Sequence, residues 1–200
     1  GSDAIYGSEF DDLLDGGSGD NLFIGNLGVD IIGGEVGDDI VIGDNGYVHG
    51  ENGSRLTPRN WPQSAEVVAT PSPGQIYYGD SIDVGDGDNL LIGGAGPDHI
   101  IAGIGTNTIL GDEGRVMFDA LGNMVLAEST NSLIGSKDIF SLGSGIYRVI
   151  AGAGDEKIEL GAGQNFVIGD AGRIRVRSDS TTIIESFDAE VVGNDTVIRS

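Results

Sequence analysis

Oxygen-bearing side chains recur in this chain at a fixed interval of nine residues. Asp12, Asn21, Asp30 and Asp39 form one series, and Asp80, Asn89, Asp98 and Asn107 a second. Asp138, Tyr147, Glu156 and Asn165 form a third, and Gly193-Asn194-Asp195 opens a fourth. Carboxylates and amides held in phase suit a hard cation, because calcium takes six to eight oxygens from carboxylates and backbone carbonyls. The surrounding glycines fit that chemistry, since they can adopt positive φ and turn carbonyls toward one point. In a single turn, Asn and Asp would be read only as turn formers. In-phase stacks of carboxylates would repel one another unless a cation lay between them.

The elements that must position these residues follow from the same period. Gly16-Gly17-Ser18-Gly19-Asp20-Asn21-Leu22-Phe23-Ile24 shows one whole unit, with the polar residue sixth and an apolar residue eighth. The eighth place holds Leu14, Phe23, Ile32 and Val41 in the first series. Such a period marks a repeat architecture. Short β-branched runs such as Ile40-Val41-Ile42 read as brief strands, and the recurring glycines leave no room for long helices.

The period comes in bursts, each closed by nearly the same phrase: Gly43-Asp44-Asn45-Gly46, Gly111-Asp112-Glu113-Gly114 and Gly169-Asp170-Ala171-Gly172. Asp44, Asp112 and Asp170 fit two roles equally, ligation of a terminal ion or capping of the coil. After each phrase the period stops. Residues 115–128 read as two β-rich runs around a Gly-Asn turn, and 173–187 alternate with period two, Arg173, Arg175 and Arg177 facing water. The first excursion, 47–78, carries Pro58, Trp61, Pro62, Pro71 and Pro73, with Glu66-Val67-Val68-Ala69 as its return strand and an irregular middle. The expected organisation is a first module over 1–78, a second over 79–137, a third over 138–192, and the start of a further repeat over 193–200.

The unit resembles the RTX, or haemolysin-type, nonapeptide repeat Gly-Gly-x-Gly-x-Asp-x-aliphatic-x. The resemblance covers about residues 7–48, 79–116 and 138–174; its third stretch departs most, with Tyr147 and Glu156 in the sixth place. It implies an all-β fold: a parallel β-roll, or β-solenoid, of glycine/aspartate turns interrupted here by β-hairpin excursions. It further implies that each unit is half a coil, so units 18 residues apart share an edge, and that calcium ions sit between stacked turns. Within each module one edge then carries an acidic pair: Asp12 and Asp30, Asp80 and Asp98, Asp138 and Glu156. The other edge pairs Asn21 with Asp39, Asn89 with Asn107, and Tyr147 with Asn165. Ligand charge governs affinity, so the strongest sites are expected at Asp12/Asp30 and Asp80/Asp98, with weak or absent sites opposite.

The seventh place, Leu13, Leu22, Ile31 and Ile40, should point outward. Either the excursion hairpins fold back over this aliphatic row, or it packs onto a neighbouring module or partner. His99 shares that outward place, and neither it nor His49 sits in a catalytic setting. No nucleophile elbow, acid–base pair or phosphate-cradling loop is recognisable.

Acidic residues number 32 against 10 basic ones, a net charge of −22, which excludes the basic footprint of a nucleic-acid binder. There is no cysteine, so neither disulfides nor thiolate metal sites are available. No run is long enough to span a bilayer, and no secretory signal is recognisable. Gly1-Ser2 resembles a cloning remnant, so the chain reads as a piece of a longer array.

The functional expectation is a non-enzymatic calcium-binding segment of a large secreted or cell-surface protein, an adhesin or exoprotein exported by type I secretion. Its partners would be calcium, neighbouring repeats and an extracellular ligand. The alternatives are an accessory module of an extracellular lipase, protease or polysaccharide-modifying enzyme, and a surface-recognition module.

Overall fold

The computed structural model describes residues 1–50, 65–71, 78–131, 135–187 and 194–199, and every regular element there is a strand. The middle of the first excursion, with Trp61, Pro58, Pro62 and Pro73, lies outside these residues, as does Gly193. The nine-residue unit explains the local structure. A polar turn residue is followed by three or four residues with an apolar centre, and the glycines of the next unit end the strand. In this way Leu22–Ile24 pairs in parallel with Ile40–Ile42, two units on.

Successive units alternate between two seven-stranded parallel sheets. The first holds β1 (Ala4–Tyr6), β3 (Leu22–Ile24), β5 (Ile40–Ile42), β9 (Leu90–Ile92), β11 (Gly105–Leu110), β15 (Gly145–Ile150) and β17 (Gly163–Ile168). The second holds β2 (Leu13–Gly17), β4 (Ile31–Gly34), β8 (Ser81–Asp83), β10 (His99–Ala102), β14 (Ile139–Leu142), β16 (Lys157–Leu160) and β20 (Thr196–Arg199). Eighth-place side chains from both sheets meet between them: Phe23, Ile32, Val41, Ile82, Leu91, Ile100 and Phe140 are all at or near zero exposure. Each such side chain contributes about 1.5–3 kcal/mol on full burial.

The excursions do not break the roll. Ile31 on β4 pairs with Ser81 on β8, and His99 on β10 with Ile139 on β14, so the chain leaves and rejoins the stack in register. All three excursions leave from the same side, where the first sheet turns toward the second. They form a third sheet, six-stranded and antiparallel: β19 (Thr182–Ser186), β18 (Gly172–Val176), β13 (Met124–Ser129), β12 (Gly114–Phe118), β7 (Glu66–Ala69) and β6 (Gly46–His49), in that order. Neighbouring excursions are joined edge to edge, β7 to β12 and β13 to β18. Cross-strand ion pairs reinforce the outer surface, Arg115 with Glu128 at 2.6 Å and Arg173 with Glu185 at 2.9 Å.

This third sheet lies against the outer face of the first. It creates a second apolar layer in which Ile42, Val67, Ile92, Val116, Ala127 and Ile174 are fully covered. The seventh-place row therefore divides between two environments. Leu22 and Ile40, on the first sheet, are buried beneath the excursions, whereas Leu13 and Ile31, on the second, are 76% and 54% exposed. Excursions that all leave from one edge cover only the sheet they leave from.

Candidate metal centre

In-register stacking turns the acidic sixth-place residues into one column. Asp12, Asp30, Asp80, Asp98, Asp138, Glu156 and Asp195 each stand immediately before a strand of the second sheet, one per coil. A repeated hydrogen bond fixes them. The backbone N–H of Asp12 donates to Asp30 Oδ1 (2.9 Å), that of Asp30 to Asp80 Oδ1 (2.8 Å), and that of Asp80 to Asp98 Oδ1 (2.8 Å). The N–H of Asp98 donates to Asp138 Oδ1 (2.9 Å), and that of Glu156 to Asp195 Oδ1 (3.2 Å). The ladder crosses the first two excursions, at Asp30–Asp80 and Asp98–Asp138, without a break.

In the aspartates one carboxylate oxygen is thus used as a structural acceptor and the other is left over, whereas both oxygens of Glu156 are buried without a donor. Oδ2 of Asp30, Asp98 and Asp138 is buried with no hydrogen-bond partner. A second oxygen stands close to each of them. A Cβ on Gly25, Gly43, Gly93 or Gly111 would collide both with the Oδ2 of its own turn and with the carbonyl oxygen of Gly43, Gly93, Gly111 or Ala151 in the next coil. Four consecutive turns therefore bring a carboxylate oxygen, unpartnered in three of them, and a backbone carbonyl oxygen around one small space that only glycine leaves open. Buried acceptors without donors are rare in folded proteins, and clustered oxygens of this kind are the donor set of a calcium ion. Among the described residues no three acidic or histidine side chains converge on one point. Backbone carbonyls would have to complete the coordination.

The electrostatics agree with this geometry. Burial pushes Asp30 up to about 6, and Asp80 and Asp138 to about 8. Asp98 is raised well above the usual carboxylate range, first by burial and then by the neighbouring Asp138 and Asp80. Glu156 rises to about 10 through burial and the adjacent Asp195. Each shift measures how unfavourable these charges are without a cation. A glycine substitution tests the space directly. Gly93→Ala places a methyl against Asp98 Oδ2 and the Gly111 carbonyl, so it should destabilise the protein by about 1–3 kcal/mol, as overpacking does. It should also reduce bound calcium, measured by thermal unfolding and calcium titration.

The structure places two of the closing-phrase aspartates, and distinguishes Asp12, on this edge. Asp44 and Asp112 are buried within it: Asp44 Oδ2 accepts the Ala95 N–H at 2.6 Å, and Asp112 Oδ2 accepts that of Ala153 at 2.5 Å. Burial pushes Asp44 to about 7 and Asp112 to about 9. Both bond to the coil below, so they lock the exit of an excursion to the next turn and add charge beside the column. Asp12 differs from the interior members: its Oδ2 accepts the Ser8 N–H (2.6 Å) and the Ser8 hydroxyl (2.9 Å).

The opposite edge carries Asn21, Asp39, Asn89, Asn107, Tyr147 and Asn165, before or within strands of the first sheet. The same ladder recurs there: Asn21 N–H donates to Asp39 Oδ1, Asp39 N–H to Asn89 Oδ1, and Asn89 N–H to Asn107 Oδ1, at 2.8–3.1 Å. Asp39 alone brings a bare buried carboxylate oxygen to this interior, and burial raises it to about 6. Tyr147 takes the sixth place with a ring buried in the core and a hydroxyl that donates to backbone carbonyls, which its position in the repeat did not foretell.

No curated protein matches the chain. No helix in the described residues is long and apolar enough to cross a membrane. The family model of the RTX calcium-binding nonapeptide repeat matches in four copies, over residues 1–32, 83–115 and 148–173, which are stretches of the roll and of its closing phrases. That repeat is a structural calcium-binding unit rather than a catalytic one. With its parallel roll and its glycine-walled column of carboxylates, the chain carries copies of the RTX calcium-binding nonapeptide repeat.

Proposed function

We propose that this chain is a calcium-folded structural segment of a secreted protein, an adhesin or exoprotein exported by the type I route. Where calcium is scarce, as inside a cell, the acidic column opposes the compact roll. Where calcium is abundant, ions seated between turns neutralise it and folding follows. The observation that carries this reading is the bare Oδ2 of Asp30, Asp98 and Asp138, each beside a glycine-walled gap and a carbonyl. The ions are assigned to the edge of Asp12, Asp30, Asp80, Asp98, Asp138, Glu156 and Asp195, with Asp39 as the one acidic position of the opposite interior. The central members outrank Asp12, whose second oxygen is already occupied by Ser8.

The test is a calcium titration of four variants. Asp30→Ala and Asp98→Ala should each lose bound calcium and lower the calcium-dependent melting temperature. Asn21→Ala and Asn107→Ala should leave the ion count unchanged. Equal losses from the two pairs would sink the assignment to one edge.

A further inference from the structure

The two edges share one ladder but end it differently, and the difference is a single atom. At Asp30, Asp98 and Asp138 on the acidic edge, Oδ1 accepts a backbone N–H and the remaining atom is an oxygen with no donor. On the opposite edge, Asn21 Oδ1 accepts the Asp3 N–H at 3.0 Å, which turns its amide nitrogen to the other side. That nitrogen donates to the carbonyls of Gly17 (3.1 Å) and Gly19 (2.6 Å), within its own turn. Asn89 repeats the arrangement with Gly87 (3.1 Å), and Asn165 with Gly161 (3.3 Å). The orientation of the Asn21, Asn89 and Asn107 amides is set by the ladder, because only the oxygen can receive the backbone N–H, whereas Asn165 Oδ1 receives none.

Tyr147 completes the pattern from a different residue type. The carbonyl four residues before Asn107 belongs to Gly103, the counterpart of Gly17 before Asn21. The Tyr147 hydroxyl, arriving from the next coil, donates to that carbonyl and to Ala102 at 3.0 Å. The amide nitrogen of Asn107 is left without a partner. One hydroxyl thus takes over the role that the local amide fills elsewhere.

The geometry points to a second edge closed by its own side chains: the amides of Asn21, Asn89 and Asn165 and the hydroxyl of Tyr147 donate to the turn carbonyls in place of a cation, so those rungs carry no ion and hold without calcium. This rests on the assignment of ions to the acidic edge and extends it, since these residues decide which edge is metal-dependent. An amide also buries no charge, so these rungs add nothing to the repulsion that the acidic edge must neutralise.

The exchange of one atom can be made in both directions. Asn21→Asp and Asn89→Asp replace the donor with an acceptor facing carbonyls. Each should gain a further bound calcium ion, counted by native mass spectrometry, and should melt at a lower temperature than the parent in excess chelator. Tyr147→Phe should lower the melting temperature with and without calcium and leave the ion count unchanged. Asp98→Asn, the reverse exchange, should lose an ion. If Asn21→Asp and Asn89→Asp gain none while Asp98→Asn loses one, the closed edge is refuted and the acidic edge stands. Gains at the first two without a loss at Asp98 would refute the acidic edge alone. An ion lost from Asn89→Ala, or failure of both Asn→Asp variants to fold even in calcium, would also overturn the closed edge.

Discussion

Removing calcium with excess chelator at neutral pH should cost this protein most of its β-sheet signal, and acidifying the metal-free protein should restore much of it. The sign follows from the direction of the carboxylate shifts. Asp30, Asp80 and Asp138 are raised from 3.8 to about 6, 8 and 8 in the folded chain. A carboxylate with a raised folded pKa binds its proton more tightly when folded. Its favourable contribution is complete below about pH 4 and is lost as pH rises through 6–8. The metal-free roll should therefore melt higher at pH 5 than at pH 8. Calcium reverses the order, because it competes with protons for the same oxygens and binds better as they ionise.

Each ion held at a hundred times its dissociation constant adds about 2.7 kcal/mol, so several ions on one column can decide whether the roll exists. Circular dichroism melts at both pH values, with and without calcium, read this out. A melting temperature indifferent to chelator, or a metal-free protein more stable at pH 8 than at pH 5, would be fatal to the calcium-folding reading. Asp98→Asn separates the column from the overall charge of −22. It should raise the metal-free melting temperature at neutral pH while lowering that of the calcium-loaded protein.

The second large effect is expected far from the ions. Val116 is fully buried between the first sheet and the excursion sheet. Val116→Asp places an unpaired carboxylate in an apolar layer shared by excursions from all three bursts, and burial of an unpaired charge is among the few mechanisms that exceed about 4 kcal/mol. Loss of that layer would also bare Leu110, Ile150 and Ile92 on the face of the first sheet, so the variant should unfold or aggregate even in calcium. Leu13→Thr makes the opposite case. Leu13 is 76% exposed on the uncovered second sheet, and threonine is at home in a strand, so stability should change by less than about 0.5 kcal/mol. Comparable losses from the two would mean that the excursions do not form a structural layer. Denaturant melts in saturating calcium make the comparison.

Much of this was legible in the sequence because its signals are local. The period of nine assigns every residue a place in the turn. It puts Phe23, Ile32 and Phe140 inside and Asp30 and Asp98 beside the glycines, by geometry that two adjacent units already contain. The hairpins at 114–129 and 172–186 were readable for the same reason, from alternation and a turn within about fifteen residues. Alternation of acid and amide along the repeat likewise separated an acidic edge from an amide one.

What only the tertiary structure decided depends on hydrogen bonds between distant coils. Nothing in the period says that Asp80 continues the column of Asp30 across fifty residues; the pairing of β4 with β8 does. The first two excursions therefore leave the ladder intact from Asp12 to Asp138. The sequence also could not say that three separate excursions pair edge to edge, nor that their common exit edge would bury Leu22 and Ile40 while leaving Leu13 and Ile31 in water. Tyr147 belongs with these: only the stacked coil shows its hydroxyl on carbonyls more than forty residues earlier in the chain. The sequence determined the unit and its chemistry, because those lie within nine residues. The stack determined which unit meets which, because inter-coil register is written in backbone pairing that no local pattern contains.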